Sequence, residues 1–326
     1  MDKVIEQLRQ QPALAWKVAV NVLGNGDASP EASRARTEVR ESPLVKALIA
    51  TCDRRHSAYK KWDGPHWVLS LLGDLGYPAG DETLRPLMEH TFNTWLSALH
   101  EKKALRVLEG RVRRCASQEG YAVWSSLRLG FADARTDELV SRLLRWQWPD
   151  GGWNCDKHPA ADTSSFMETL IPLRALALYA NVSGDAGVKI AAERAAEVFL
   201  TRQLYQRRRD GQVIHPGFVL LHYPLYWHYD ILFGLKVMAE AGFIGDPRCA
   251  AALDLLESKR LPDGGFPAEA SYVQAIRPQA SAYSPVNWGG VSKKTQNPFV
   301  TADALYVLRM AGRLRRPHTP PPSPTY

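Results

Sequence analysis

The stretch RWQWPDGGWNCDKHP, residues 145–159, gathers Cys155, Asp156 and His158 within four positions. Cysteine and histidine in Cys-x-x-His spacing suit one metal ion, and zinc takes sulfur, nitrogen and oxygen donors in a tetrahedron that a catalytic site leaves open at one corner. Cys115, at the end of the basic run RVRRC, and His222, in HYPLYWHYDIL, are further donors of the same kind. HYPLYWHYDIL also carries His228 and Asp230. An oriented imidazole serves as ligand or general base, whereas the Asp can equally cap a helix. Each of these residues has a plainer use: cysteine is often a small buried apolar residue, and tyrosine and tryptophan at this density usually belong to a core.

The elements that would position these groups show a repeat. LGFADARTDELVSRLLRWQWPDGGW (129–153) and AGFIGDPRCAAALDLLESKRLPDGGF (241–266) share a glycine-closed helix end, a loop with an Asp, an amphipathic segment and a final DGG plus aromatic. LGYPAGDETLRPLMEHTF (75–92) and the segment 181–213 are looser versions. Glycine past one helix and Asp before the next are what a helix–turn–helix connection requires. Between the units lie segments apolar nearly all round: PHWVLSLLGDLG (65–76), CASQEGYAVWSSLRLG (115–130), SSFMETLIPLRALALYA (164–180), YWHYDILFGLKVMAEAG (226–242) and NPFVTADALYVLRMAG (297–312). Helices apolar on most faces belong inside and those with a charged stripe outside. Strand signals are scarce, so the expectation is an all-α array of inner and outer helices that closes on itself.

Composition agrees with a soluble globular chain: 326 residues, 45% apolar and 23% charged. No apolar run reaches the roughly 18–20 residues of a membrane span, and the N-terminus lacks a signal-peptide core, so the cytoplasm is the expected compartment. Four scattered cysteines do not make a disulfide framework. The net charge of +7 is partly localised, in Arg111, Arg113 and Arg114 and in Arg207, Arg208 and Arg209. Such runs favour phosphates or peripheral contact with an acidic membrane surface; no nucleic-acid-binding motif accompanies them.

Gln147, Asp150, Gly151, Gly152 and Trp153 form Q-x-x-D-G-G-W, which resembles the QW-type motif of squalene and terpene cyclases, and SSFMETLIPLRALALY resembles the inner helix that follows it there. The whole is similar to the prenyltransferase and squalene oxidase repeat family. That resemblance implies an α/α toroid of about five to six helical hairpins over residues 59–313, with N-terminal helices of 1–58 packed on it and a disordered Pro-rich tail at 314–326. Five inner helices are recognisable, with at most one more before residue 60.

In such a toroid the starts of the inner helices face a central cavity. The expected substrate-binding residues are Arg113, Arg114, Gln118, Tyr121, Trp124, Phe166, Tyr226, Tyr229 and Phe299, polar groups above an aromatic-lined pocket. The resemblance implies an isoprenoid or similar apolar substrate, with a diphosphate received by Arg113 and Arg114. Class II cyclases would carry Asp-x-Asp-Asp where Ser165, Phe166, Met167 and Glu168 stand, so Glu168 alone is left as general acid, active if burial raises its pKa. Resemblance to protein prenyltransferase β subunits implies zinc held by Asp, Cys and His near inner-helix starts. No full ligand motif of that family is present, and the residues of this sequence that could supply donors are Cys115, Cys155, His158 and His222, with Glu168, His228 and Asp230 as the candidate catalytic groups. Two alternatives stand beside this: a metal-dependent or acid/base hydrolase or lyase on another substrate such as a glycan, for which Glu168 and Asp230 would need to lie roughly 5–9 Å apart, and a toroid that binds a lipid without catalysis.

Overall fold

The computed structural model describes residues 2–104, 106–273, 284 and 286–314. Its helices are α1 (Asp2–Arg9), α2 (Pro30–Glu41), α3 (Pro43–Ala50), α4 (Pro65–Leu75), α5 (Arg85–Trp95), α6 (Ala98–Ala104) and α7 (Ala116–Arg128) in the first half. The second half holds α8 (Ala134–Trp146), α9 (Phe166–Ser183), α10 (Ala186–Leu200), α11 (Ile231–Glu240), α12 (Ala250–Ser258) and α13 (Pro298–Met310).

Burial sorts these into two layers. All of α4, and nearly all of α7, α11 and α13, is buried on every face, as is the first two-thirds of α9. Each of these inner helices packs on the next. The outer helix α8 buries Leu139, Val140, Arg142, Leu143 and Trp146 and turns Asp137, Glu138 and Arg145 outward. Helices α5, α8, α10 and α12 each pack against the inner helix that precedes them. Asp133, Asp185, Asp230 and Asn297 cap the starts of α8, α10, α11 and α13 through side-chain oxygens, each such cap being worth about 1 kcal/mol.

The ring closes through residues before 58. A π-helical turn, Lys17–Val22, packs on α13, and the outer helix α2 packs on that turn. On the other side Trp16 lies on the C-cap glycine of α4, Gly76. Gly76 has φ +81°, and a Cβ there would overlap the Trp16 ring, so both the left-handed cap and the ring closure require glycine. The fold is thus an α/α toroid, with six inner elements among the described residues, the sixth supplied by the N-terminal segment. The polar residues in KVAVNV hide it from a search for apolar helices. The tail lies, all but Leu314, outside the described residues, and no described helix is long and apolar enough to cross a membrane.

Sequence-based expectation misses one element. RVRRC does not open an inner helix directly: Arg111–Arg113 is the strand β2, paired antiparallel with β1 (Arg106–Leu108).

Ion pairs fill the centre of the ring, where the sequence points to an apolar filling. Lys17 lies 2.6 Å from Asp74 and 2.7 Å from Asp303, Arg174 lies 2.8 Å from Asp74 and 2.5 Å from Glu240, and Lys236 lies 3.2 Å from Asp303. Burial drags the Lys17 ammonium down, but Asp303 and Asp74 outweigh it and hold its pKa well above the ordinary value. Burial likewise opposes ionisation of Asp74, yet Lys17, Lys236 and Arg174 hold its carboxyl well below the usual range.

Candidate functional site

The turn after α8 is built as scaffold. Gly151 takes φ +101°. Asp150 accepts hydrogen bonds from the Ser164 amide and hydroxyl at 2.7 and 2.6 Å. Gln147 donates to the carbonyls of Gly151 and Ala191, tying α8 to α10, and the Trp153 indole donates to the Leu143 carbonyl. The Trp153 amide donates to Thr169 Oγ1 at 3.1 Å, and in the second unit the Phe266 amide donates to Thr301 Oγ1 at 2.9 Å. The repeat therefore extends to the atom that anchors each turn on the following inner helix.

One residue further on, the scaffold delivers chemistry. Arg113 and Asn154 form a parallel β-bridge, and the Arg114 amide donates to the Asn154 carbonyl at 3.0 Å. Their successors, Cys115 and Cys155, are thereby side by side. The Ser165 amide donates to the Trp153 carbonyl at 2.8 Å, so α9 starts against the same strand-like segment and presents Glu168 in its first turn. The Sγ atoms of Cys115 and Cys155 and a carboxylate oxygen of Glu168 all lie within 4.8 Å of one another.

Around this cluster the hydrogen bonds are directed at the carboxylate. Glu168, 2% exposed, accepts from the Ser117 amide on Oε2 and from the Trp227 indole on Oε1, both at 3.0 Å, while Cys155 Sγ lies 3.6 Å from Oε1. Burial pushes the Glu168 carboxyl up, against those hydrogen bonds from Ser117, Trp227 and Cys155. The Cys155 thiol is also pushed up, first by its contact with Cys115 and then by burial and the Glu168 charge. Among the described residues no lysine or arginine pairs with Glu168. Tyr59 borders the cluster and interacts with Gln118, and burial and the nearby acid and thiols keep its phenol protonated. Two thiols and a carboxyl, brought together without a lysine or arginine, are donors of the kind that a zinc ion takes. Tetrahedral zinc, with bonds of about 2.3 Å to sulfur and 2.0 Å to oxygen, sets sulfur and oxygen about 3.5 Å apart, close to the Cys155–Glu168 separation.

Cys115, Cys155 and Glu168 are the expected residues the structure brings together. His158 is exposed, with Nδ1 accepting from the Ala160 amide, because the chain turns outward after Cys155; it does not join the cluster. His222 and Asp230 form a separate buried pair, Nδ1 2.7 Å from Oδ2. Asp230 also accepts from the Phe233 and His222 amides, so it caps α11 and holds His222. His228 stacks on Tyr272 at 3.6 Å, and burial, helped by His222 and Lys61, lowers its pKa to about 3, which keeps it a neutral base.

Arg113 and Arg114 are turned inward. Arg113 donates to the Ala161 carbonyl and lies on Trp148, while Arg114 pairs with Glu119 and lies on Trp146. Both are buried, Arg113 in β2 and Arg114 just after it, and neither stands open to solvent at the rim as a receiver of diphosphate would. Of the expected aromatic lining, Tyr121 donates to the Tyr226 carbonyl and Tyr226 stacks on Trp62. Phe166 and Tyr229 pack together at 4.8 Å, and Phe299 stacks on Tyr223. These rings are core. Only Trp124 lines the cavity of the ring, about 280 Å³, which lies toward the helix ends and not the helix starts. A second, shallower groove of about 690 Å³ runs outside the ring, with Phe166 and Phe218 as floor and Arg202, Arg207, Arg208 and Arg209 as wall.

Sequence reading missed Ser117, Trp227 and Tyr59 around the cluster. Trp227, beside His228, carries the one recognisable signal; a backbone donor such as Ser117 has none.

No family model and no curated protein matches the chain. Solved structures with a likeness to it include a protein from Actinoplanes, at 19% identity, covering 93% of this chain and 90% of that one with a TM-score of 0.41. Another is an unsaturated glucuronyl hydrolase from Bacillus sp. GL1, responsible for the degradation of glycosaminoglycan, at 15% identity, covering 92% of this chain and 84% of that one with a TM-score of 0.41. The expected membership of the prenyltransferase and squalene oxidase repeat family gains no support from them.

Proposed function

We propose that the chain is a metal-dependent enzyme of hydrolase or lyase type on an α/α toroid, its zinc held by Cys115, Cys155 and Glu168. The convergence of those three donor atoms within 4.8 Å carries the reading. Bound there, zinc supplies Lewis acidity toward a substrate oxygen. The chain's own residues orient the donors: Ser117 and Trp227 fix the carboxylate of Glu168 from two sides, the outer-shell role that tunes metal sites. His228, partly exposed and next to Trp227 in the chain, is the candidate base of this reading, although burial holds its imidazole neutral and weakly basic. Protonation-initiated cyclisation finds little support, since Glu168 has no carboxyl neighbour in the places of Ser165, Phe166 and Met167.

Titration of metal-free protein with cobalt(II) tests this. A thiolate-to-cobalt charge-transfer band, saturating at about one equivalent and lost in Cys115→Ser and Cys155→Ser, is expected. Absence of the band in the parent protein, with zinc also failing to co-purify, dismisses the centre.

A second reading rests on the outer groove. Its phenylalanine floor and four arginines suit an apolar molecule with an anionic head, so a melting-temperature rise with farnesyl diphosphate and none with a neutral sugar would return the isoprenoid substrate to first place.

A further inference from the structure

The cavity at the helix ends is remote from the cysteines. Cys115 caps the start of α7 and Arg128 ends it, about 20 Å away at 1.5 Å per residue. Charge is unevenly matched there. Asp74, Glu240 and Asp303 are answered by Lys17, Arg174 and Lys236, three acids to three bases in one buried network. Asp27, also on the cavity wall, already pairs with Arg36 and accepts the Trp16 indole N–H at 2.8 Å.

Arg128 is left over. Its guanidinium lies 5.0 Å from the Trp16 ring centroid, and no described residue accepts a hydrogen bond from it or pairs with it. The side chain is half-buried on the cavity wall, and burial lowers its pKa against the pull of Asp27 and Glu240. The cavity volume of about 280 Å³ lies at the small end of ligand pockets, which start near 300 Å³. The same cavity wall carries the amide of Asn181 and the phenol of Tyr306, neutral groups able to hold hydroxyls.

We propose that this cavity binds a small hydroxylated monocarboxylate, with Arg128 receiving the carboxylate and Asn181 and Tyr306 holding the body of the molecule. A guanidinium meets a carboxylate with two parallel hydrogen bonds, and one negative charge balances the site. The inference does not depend on the metal centre at the other end.

Glucuronate and glucose, equal in ring size and differing in charge, are the probes for the full chain, read by calorimetry and by Trp16 and Trp124 fluorescence. Glucuronate is expected to bind at least tenfold more tightly than glucose. Arg128→Gln should lose at least tenfold in glucuronate affinity, Arg128→Lys should lose less, and Arg9→Gln, removing an exposed charge on α1, should lose nothing. Equal binding of the two sugars, no binding of glucuronate, binding of inorganic phosphate in its place, or full affinity in a folded Arg128→Gln protein each overturns the proposal.

Discussion

Arg114 donates its backbone N–H to the carbonyl of Asn154, and that bond sets the next residue on each strand, Cys115 and Cys155, sulfur beside sulfur. Neither cysteine could reach the other by sequence proximity. The contact depends on a β-bridge between the hairpin before α7 and the segment after the glycine turn. The Cys115–Cys155–Glu168 cluster is therefore a product of tertiary register.

Metal should shield those two thiols and no others. Alkylation followed by mass spectrometry is expected to label Cys115 and Cys155 at least tenfold more slowly once one equivalent of zinc is present, since coordination occupies the thiolate lone pair that attacks the alkylating agent. Cys52 and Cys249 lie away from the cluster, and burial raises the Cys52 thiol to about 12 and the Cys249 thiol to about 11. Their slow labelling should not change with zinc. Zinc-independent labelling of all four cysteines would refute the ligand set.

The repeat offers an internal control. Thr169 and Thr301 accept the amides of Trp153 and Phe266 in matching turns. Valine at either position leaves a buried N–H without its acceptor, at about 1–3 kcal/mol, so both variants should melt lower by similar amounts. Thr169→Val should also weaken zinc, because Cys155 follows the disturbed amide by two residues, whereas Thr301→Val should bind zinc as the parent does. Equal zinc affinity in the two variants would separate the turn from the centre.

These turns were legible because their requirements are local: DGG needs positive φ, and an aromatic must follow to fill the space between layers. Inner and outer helices were legible for the same reason, through the extent of their apolar faces. The π-helical turn was not, since Lys17 and Asn21 break an apolar run, and Lys17 is explained only by Asp74 and Asp303, far along the chain. Arg113 and Arg114 misled for a related reason. A basic run reads as an anion receiver until strand pairing turns it against Trp148, Trp146 and Glu119. Cys115, Cys155 and Glu168 could be named as candidates, but nothing in their spacing says that they meet.

Acid should destabilise the fold through His66. Its ring is 2% exposed among Tyr59, Trp67, Trp95 and Tyr121, its Nδ1 accepts the Trp95 indole at 3.3 Å, and burial lowers its pKa from 6.5 to about 3. A base with a depressed folded-state pKa binds its proton more readily when unfolded. Its contribution is whole above pH 6.5 and is lost as pH falls from 6.5 toward 3. The loss is on the order of 4 kcal/mol. Denaturant titrations across that window should show a shallower decline in His66→Gln, which keeps an acceptor for Trp95 and lacks the titrating ring. An unchanged slope would show that His66 does not govern the acid limb.

The central ion network makes the last prediction. Asp303 is fully buried and holds both Lys17 and Lys236. Asp303→Asn leaves two buried ammonium groups with Asp74 as their shared carboxylate partner, and breaking one side of a buried pair costs about 3–5 kcal/mol. Lys17→Met leaves Asp303 with Lys236 and removes the residue that joins the π-helical turn to α4 by charge. The double variant retains Lys236 against Asp74, with Arg174 and Glu240 still paired. Its cost should therefore fall short of the sum of the two single variants by at least about 1 kcal/mol, the coupling expected of residues in one salt-bridge network. Additive costs in urea titrations would mean that the two charges act independently, and the network would then be an array of separate pairs that happens to fill the ring.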